Sequence, residues 1–377
     1  MSRSGDHPRC QVNEFQLDSP EENDHLRNLL RTRLASLLGL IIPIIIIATL
    51  FYQTWRNDPD ALRMLSDGPR SPWRLFSCFG LIILAATISF FRWHLLLRIV
   101  QIPIRLRDTM RLGFLGQLLT FISLGQMGGD LFKAVFIARE QDDRRAEAIG
   151  TIIVDRLCGL YGLLIVATVA LLASGVGHED TELEVIANGT YLLTGIGSIV
   201  AALALIPQVA QSKLTRRLTQ TPKLGGLFKR VLDALYLFHD NKLGLVAIGG
   251  ISLMVHILTA FAIYFAATSL YSTTPSIGQI FVASPIASVA GALPITPGGL
   301  GSYELVMDFM YNLFSPADAQ GRGIVVASCF RIGTFAVAAI GIVFYWMRHR
   351  ELGKILTEVE SEKADHKNPQ PPANKPQ

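Results

Sequence analysis

Residues 243–303 read LGLVAIGGISLMVHILTAFAIYFAATSLYSTTPSIGQIFVASPIASVAGALPITPGGLGSY, 61 positions without one Asp, Glu, Lys or Arg. A bilayer core is crossed by about 20 apolar residues in helical form, so this run is long enough to cross and return. Every backbone N–H and C=O at that depth must be satisfied within the protein. A continuous apolar run does this as helix, whereas a barrel strand would alternate apolar and polar residues.

The same signal recurs on both sides of this stretch. Residues 34–55, 157–178 and 185–212 also lack all four charged residue types. Of the 377 residues 50% are hydrophobic and 17% charged, against about a quarter charged in soluble domains. The expected fold is an all-α polytopic membrane protein. Six full spans are expected, at 34–53, 75–97, 152–173, 185–206, 243–270 and 323–347. Two further apolar segments, 112–138 and 280–314, are interrupted by glycine or proline. Cys10, Cys78, Cys158 and Cys329 lie far apart and have no metal-binding or redox spacing.

Three segments follow: a polar N-terminus (1–33), a transmembrane domain (34–347) and a disordered, proline-rich tail (348–377). A 33-residue polar lead does not suit a cleavable signal peptide, so 34–53 is expected to stay as an anchor. Arg and Lys then set the sidedness. The N-terminus, the 98–111, 139–149 and 207–242 loops and the tail are basic, while 174–184 is purely acidic and 271–279 uncharged. With basic loops in the cytoplasm, both termini are cytoplasmic and the membrane is the cytoplasmic (inner) one. The 54–74 loop, with four arginines, is the exception placed outside. Segment 112–138 then has cytoplasmic flanks at both ends, and 280–314 must leave and return on the outer face. Each is expected to be a re-entrant hairpin. The order span, hairpin, span occurs twice with opposite starting sides, the pattern of an inverted repeat.

The two interruptions concentrate the candidate site. The first is Ser123-Leu-Gly125-Gln-Met-Gly128-Gly129-Asp130, and the second is Pro294-Ile-Thr296-Pro297-Gly298-Gly299-Leu-Gly301. Glycine permits backbone conformations closed to other residues, and proline removes a helical donor, so both halt a helix within an apolar stretch. The turns expose helix N-termini, which favour anions. The alternative, a surface loop between two interfacial helices, stays open for each. Charges beside the turns are functional candidates by default: Asp130 with Lys133, Asp155-Arg156, Glu304 with Asp308 one turn on, and Arg331 in the last span. Arg156 near a helix end can instead snorkel to the interface. His94 and His256 read as hydrogen-bonded packing residues. No nucleotide-binding loop, zinc-protease or serine-hydrolase motif is present, so no cofactor and no catalytic residue is expected.

These residues resemble the flippase-like transmembrane family that includes the membrane half of lysylphosphatidylglycerol synthases and its stand-alone relatives. Three places carry the likeness: Gly128-Gly129-Asp130 with Lys133; Asp155-Arg156-Leu157-Cys158-Gly159-Leu160; and Leu293-Pro294-x-Thr296-Pro297-Gly298-Gly299-Leu300-Gly301-x-x-Glu304. It covers roughly residues 30–350. Asp155 stands where that family usually has glutamate. Full-length members add a soluble aminoacyl-transferase domain that is not expected here, so synthase activity is not implied.

The resemblance implies movement of a lipid or lipid-linked molecule between leaflets. On that reading Arg156 and Arg331 hold an anionic headgroup within turns built from Gly128, Gly129, Pro297, Gly298 and Gly299. Asp130, Glu304 and Asp155 balance charge or relay protons. The partner is a membrane lipid and not nucleic acid, and the oligomeric state is open. Two other classes remain: an intramembrane enzyme acting on a lipid headgroup, and a non-transporting scaffold.

Overall fold

A computed structural model describes residues 69–122, 128–140, 144–174, 181–205, 238, 241–293, 299–315 and 321–347, with isolated positions between 45 and 56. The polar N-terminus, most of the expected 34–53 span, most of the 207–242 loop and the tail lie outside the described residues. So do the centres of both interruptions, 123–127 and 294–298.

Among the described residues there are nine helices and no strand: α1 Pro72–Ile99, α2 Leu106–Ile122, α3 Gly128–Glu140, α4 Arg145–Ser174, α5 Thr181–Leu205, α6 Lys242–Leu270, α7 Ile277–Ala292, α8 Ser302–Phe314 and α9 Arg322–Met347. Five segments are long and apolar enough to cross a membrane: Pro72–Ile99, Ala146–Ser174, Thr181–Ala202, Lys242–Leu270 and Arg322–Phe344. They correspond to the five expected spans that fall within the described residues.

Local chemistry explains the starts. Pro72 occupies the first turn of α1, where its missing N–H has no intrahelical partner to lose. The Asn241 side chain accepts from the Gly244 N–H at 2.9 Å and so caps α6. Ser276 and Gln279 close a reciprocal capping box on α7.

The expected interruptions divide their segments into short helices. α2 and α3 have 17 and 13 residues, and α7 and α8 have 16 and 13. At about 1.5 Å per residue none exceeds roughly 26 Å, which is short of a hydrocarbon core of about 30 Å. α2 packs on α3, and α7 on α8.

The packing of eight of the nine described helices follows a repeating pattern. The α1–α6 contact is the most extensive. Around it α2 packs on α9 as α7 packs on α4, and α3 on α4 as α8 on α9. Likewise α1–α2 matches α6–α7, α1–α9 matches α6–α4, and α1–α4 matches α6–α9. Helix α5 packs on α4 and has no counterpart among the described helices.

Small residues permit the close approaches. Ala260, Ala262, Ala266 and Ala267 of α6 are buried together with Ile263. A Cβ on Gly129 would overlap the Gly116 carbonyl of α2, and one on Gly299 would overlap the Gly291 carbonyl of α7. Without a hydrophobic drive between helices in lipid, such backbone contacts and the polar bonds across them hold the bundle. Outward-facing side chains are apolar (Phe76, Leu172, Val185, Leu192, Leu243), as hydrocarbon requires.

Gly299 also has φ +68°, a left-handed conformation that costs a residue with a Cβ about 1–2 kcal/mol. Gly299→Ala and Gly129→Ala should therefore each lower the melting temperature of the detergent-solubilised protein by several degrees. Gly80→Ala, whose Cβ meets nothing within 4 Å, should leave it near the wild-type value. Three indistinguishable melting curves would contradict the backbone contacts described.

Candidate functional site

The short helices that follow the interruptions each carry a carboxylate as their third residue: Asp130 in α3 and Glu304 in α8. In both cases the carboxylate meets an arginine from the following long helix.

In the first centre Asp130 Oδ2 accepts from Arg156 Nε at 2.5 Å, and Asp130 Oδ1 lies 3.6 Å from Lys133 Nζ. The Lys133 ammonium stands over the rings of Trp93, at 5.1 Å, and Phe90, at 5.9 Å, both on α1. The Asp130 side chain is 16% exposed and Lys133 12%, but Arg156 is 51% exposed. This centre holds two cations against one carboxylate.

In the second centre Arg331 Nε donates to Glu304 Oε1 at 2.6 Å, and Arg331 Nη2 donates to the Gly299 carbonyl at 3.0 Å. Glu304 Oε2 accepts from the Gly301 N–H at 2.7 Å, and the guanidinium covers the Tyr303 ring. The exposures are 11% for Arg331 and 1% for Glu304. The centre is neutral and closed. Asp308, on the same helix, does different work: it accepts from the Ile324 N–H at 2.8 Å and from Asn312 Nδ2 at 3.2 Å. It thereby satisfies a free donor at the start of α9.

A third pair was absent from the sequence reading. Arg92 of α1 donates from Nε to Asp155 Oδ1 at 2.8 Å and from Nη1 to Ser252 Oγ of α6 at 2.9 Å. Nη2 reaches the Asp155 carbonyl at 3.2 Å. Asp155 therefore meets Arg92 and not its chain neighbour Arg156. The available signal was Arg92 itself, a lone charge inside an apolar span. Lys133, one turn after Asp130, belongs to the first centre, which its spacing alone does not reveal. His256 hydrogen-bonds the Gly159 carbonyl at 2.8 Å, and His94 lies 3.0 Å from Thr109 Oγ1.

Of the expected site residues, Asp130, Arg156 and Gly129 come together on α2–α4, with Gly128 opening α3. Glu304, Arg331 and Gly299 come together on α7–α9. Pro297 and Gly298 lie outside the described residues. No group of three His, Cys, Asp or Glu placed to hold a metal occurs among the described residues.

The chain matches the model of the family described as lysylphosphatidylglycerol synthase TM region over residues 36–342, and it belongs to that family. Among curated proteins it is similar to Glycosyltransferase AglD of Haloferax volcanii, with 21% identity over 329 residues, covering 77% of this chain and 51% of that protein. The chain thus spans about half the length of that relative. Family and helices together make it a multi-pass membrane protein.

The two centres should respond differently to loss of their arginine. Removing one partner of a buried pair leaves an uncompensated charge and typically costs about 3–5 kcal/mol. Arg331→Met should therefore sharply reduce the folded yield, and adding Glu304→Gln should restore much of it. Arg156→Met should cost far less stability, since Asp130 keeps Lys133. Size-exclusion profiles and thermal melting in detergent distinguish these outcomes. Equal losses for Arg331→Met and Arg156→Met would remove the distinction between a closed and an open centre.

Proposed function

We propose that this protein moves an anionic lipid or lipid-linked substrate between the leaflets of the cytoplasmic membrane, without nucleotide hydrolysis. One observation carries the reading: two carboxylate–arginine centres occupy matching places in two helix sets whose packing pattern repeats. Charges inside hydrocarbon are costly and cluster on substrate or ion paths. Transporters built from two such halves place their site where broken helices meet.

On this reading α2–α3 and α7–α8 are re-entrant hairpins entering from opposite faces, and the halves α1–α4 and α6–α9 form an inverted repeat. The short helices support this because they cannot span. The three arginines of the 139–149 loop, against the uncharged 271–279 loop, support opposite sides. Both termini are then cytoplasmic, flanking a transmembrane domain over 34–347 with polar ends at 1–33 and 348–377. Arg156 and Arg331 attract the headgroup from their respective sides, lined by Gly128, Gly129, Pro297, Gly298 and Gly299. Asp130, Glu304 and Asp155 balance charge or relay protons as the arginines exchange partners.

A second reading has one observation in its favour, the similarity to a glycosyltransferase of about twice the aligned length. Here the chain would be the membrane part of an enzyme acting on a lipid headgroup.

Reconstitution into liposomes with headgroup-labelled lipids tests both. Protein-containing vesicles should transfer labelled anionic lipid across the bilayer well above the rate of empty vesicles, with zwitterionic lipid slower. Arg156→Gln should reduce the transfer at least tenfold while the protein still inserts. Transfer at the empty-vesicle rate would sink the transport reading. Chemical conversion of the labelled lipid would replace it with the enzymatic one.

A further inference from the structure

Helix α5 sits on α4 through three positions. The Tyr161 hydroxyl lies 2.8 Å from Ser198 Oγ, Thr194 Oγ1 donates to the Leu164 carbonyl at 3.3 Å, and the Thr168 and Thr194 hydroxyls are 2.7 Å apart. A Cβ on Gly197 would stand 2.9 Å from the Tyr161 ring, so the two helices approach closely. Positions 161, 164 and 168 follow Arg156 by five, eight and twelve residues. The same steps from Arg331, the matching arginine of α9, reach Ala336, Ala339 and Val343. All three are exposed, and Ile332, Phe335 and Ile342 extend the same stripe. The other face of α9 is inside the bundle. Val337 is buried there, a Cβ on Gly341 would overlap the Phe114 carbonyl of α2, and one on Gly333 would overlap the Ile82 side chain of α1. Where α4 carries a helix, α9 therefore presents an exposed apolar stripe.

We propose that residues 34–53 form the helix seated on this stripe of α9. The order of elements names the occupant. α5 is the helix before α6, and it packs on α4, the last helix of the other set. The matching element is the apolar segment before α1, and the same pattern seats it on α9. Residues 34–53 carry no Asp, Glu, Lys or Arg, and as a helix their length is about 30 Å, that of a hydrocarbon core. α1 itself packs on α9, so the stripe adjoins the helix that the segment precedes. Residues 54–71 between them can reach up to about 60 Å. Ala336 and Ala339 let a backbone approach, and the larger side chains around them supply the van der Waals contact on which association in lipid depends.

Tyr161 meets Ser198 and Thr168 meets Thr194, so α5 runs antiparallel to α4. With both termini cytoplasmic, 34–53 runs outward and α9 inward, which makes this pair antiparallel too. That sense rests on the sidedness proposed above, whereas the seat rests on the packing. Leu34 and Met347 then mark one edge of the membrane, which puts 37–40 beside Val343 and 44–47 beside Ala336.

Paired cysteines in the full chain, with the four native cysteines replaced, test the seat in isolated membranes under copper–phenanthroline oxidation. Val343→Cys is combined in turn with Leu37→Cys, Leu38→Cys, Gly39→Cys and Leu40→Cys. Ala336→Cys is combined with Ile44→Cys, Ile45→Cys, Ile46→Cys and Ile47→Cys, and the reversed combinations are made as well. A protease site placed within 54–68 and cut after solubilisation turns an internal cross-link into an intact band that splits on reduction. Thr168→Cys with Thr194→Cys, across the α4–α5 contact, sets the yield of a true neighbour. Leu243→Cys and Met254→Cys, on the exposed face of α6, set the background with the same partners.

At least one member of each turn should cross-link to α9 near the α4–α5 yield and at least tenfold above background. Cross-linking at the background level would overturn the proposal. So would a band of twice the chain's mass from Val343→Cys alone, which would put a second copy on α9. Strong cross-links confined to the reversed combinations would keep the seat and overturn the sidedness.

Discussion

A charge in hydrocarbon is tolerated when it is paired or reaches water, and the polar anatomy of this protein follows from that constraint. Arg92, Arg156 and Arg331 sit on long apolar helices, and each meets a carboxylate on another helix. Two of those carboxylates ride on helices too short to be held by spanning. Such a helix is fixed by what grips its first turn: an arginine from the next helix, and a glycine pressed on the carbonyl of the preceding one. Charge pairing thus holds the short helices of the interrupted segments in place.

Much of this architecture is legible in the sequence because its causes are local. Charge-free runs mark the spans, and the glycine and proline clusters mark where the long apolar segments divide. Glu304 and Arg331 are readable as a pair because each lies in a largely apolar segment, 27 positions apart, and needs a partner. The Arg92–Asp155 contact is not readable in the same way. It joins helices 63 positions apart, and Asp155 already has a cation beside it in the chain, so proximity along the sequence points to the wrong arginine. The role of Asp308 is hidden for a related reason: a helix N-terminus donating from 16 positions away leaves no mark on composition. Lys133 sits one turn after Asp130, an ordinary spacing on any helix, and only the aromatic rings of α1 give its position meaning.

A repeated pattern of helix packing carries two centres of unlike electrostatics. On the proposed function, an anionic substrate would meet an exposed arginine in the first centre and a covered one in the second. Opening the sealed centre requires something to replace the Glu304 contact of Arg331, and an arriving anion is chemically suited to do that. Helix α5, packed chiefly on α4, stands outside the repeated pattern and leaves Val185, Leu192 and Ile199 exposed.

On the proposed function, the two interrupted segments enter from opposite sides of the membrane. Single cysteines at positions 142, 178, 220 and 275, in a chain with the four native cysteines replaced, test it directly with a membrane-impermeant thiol reagent on intact cells. Positions 178 and 275 should be labelled from outside, and 142 and 220 only after the membrane is permeabilised. Labelling of position 142 from outside would mean that α2 and α3 together cross the membrane, and the opposed-hairpin account would be wrong.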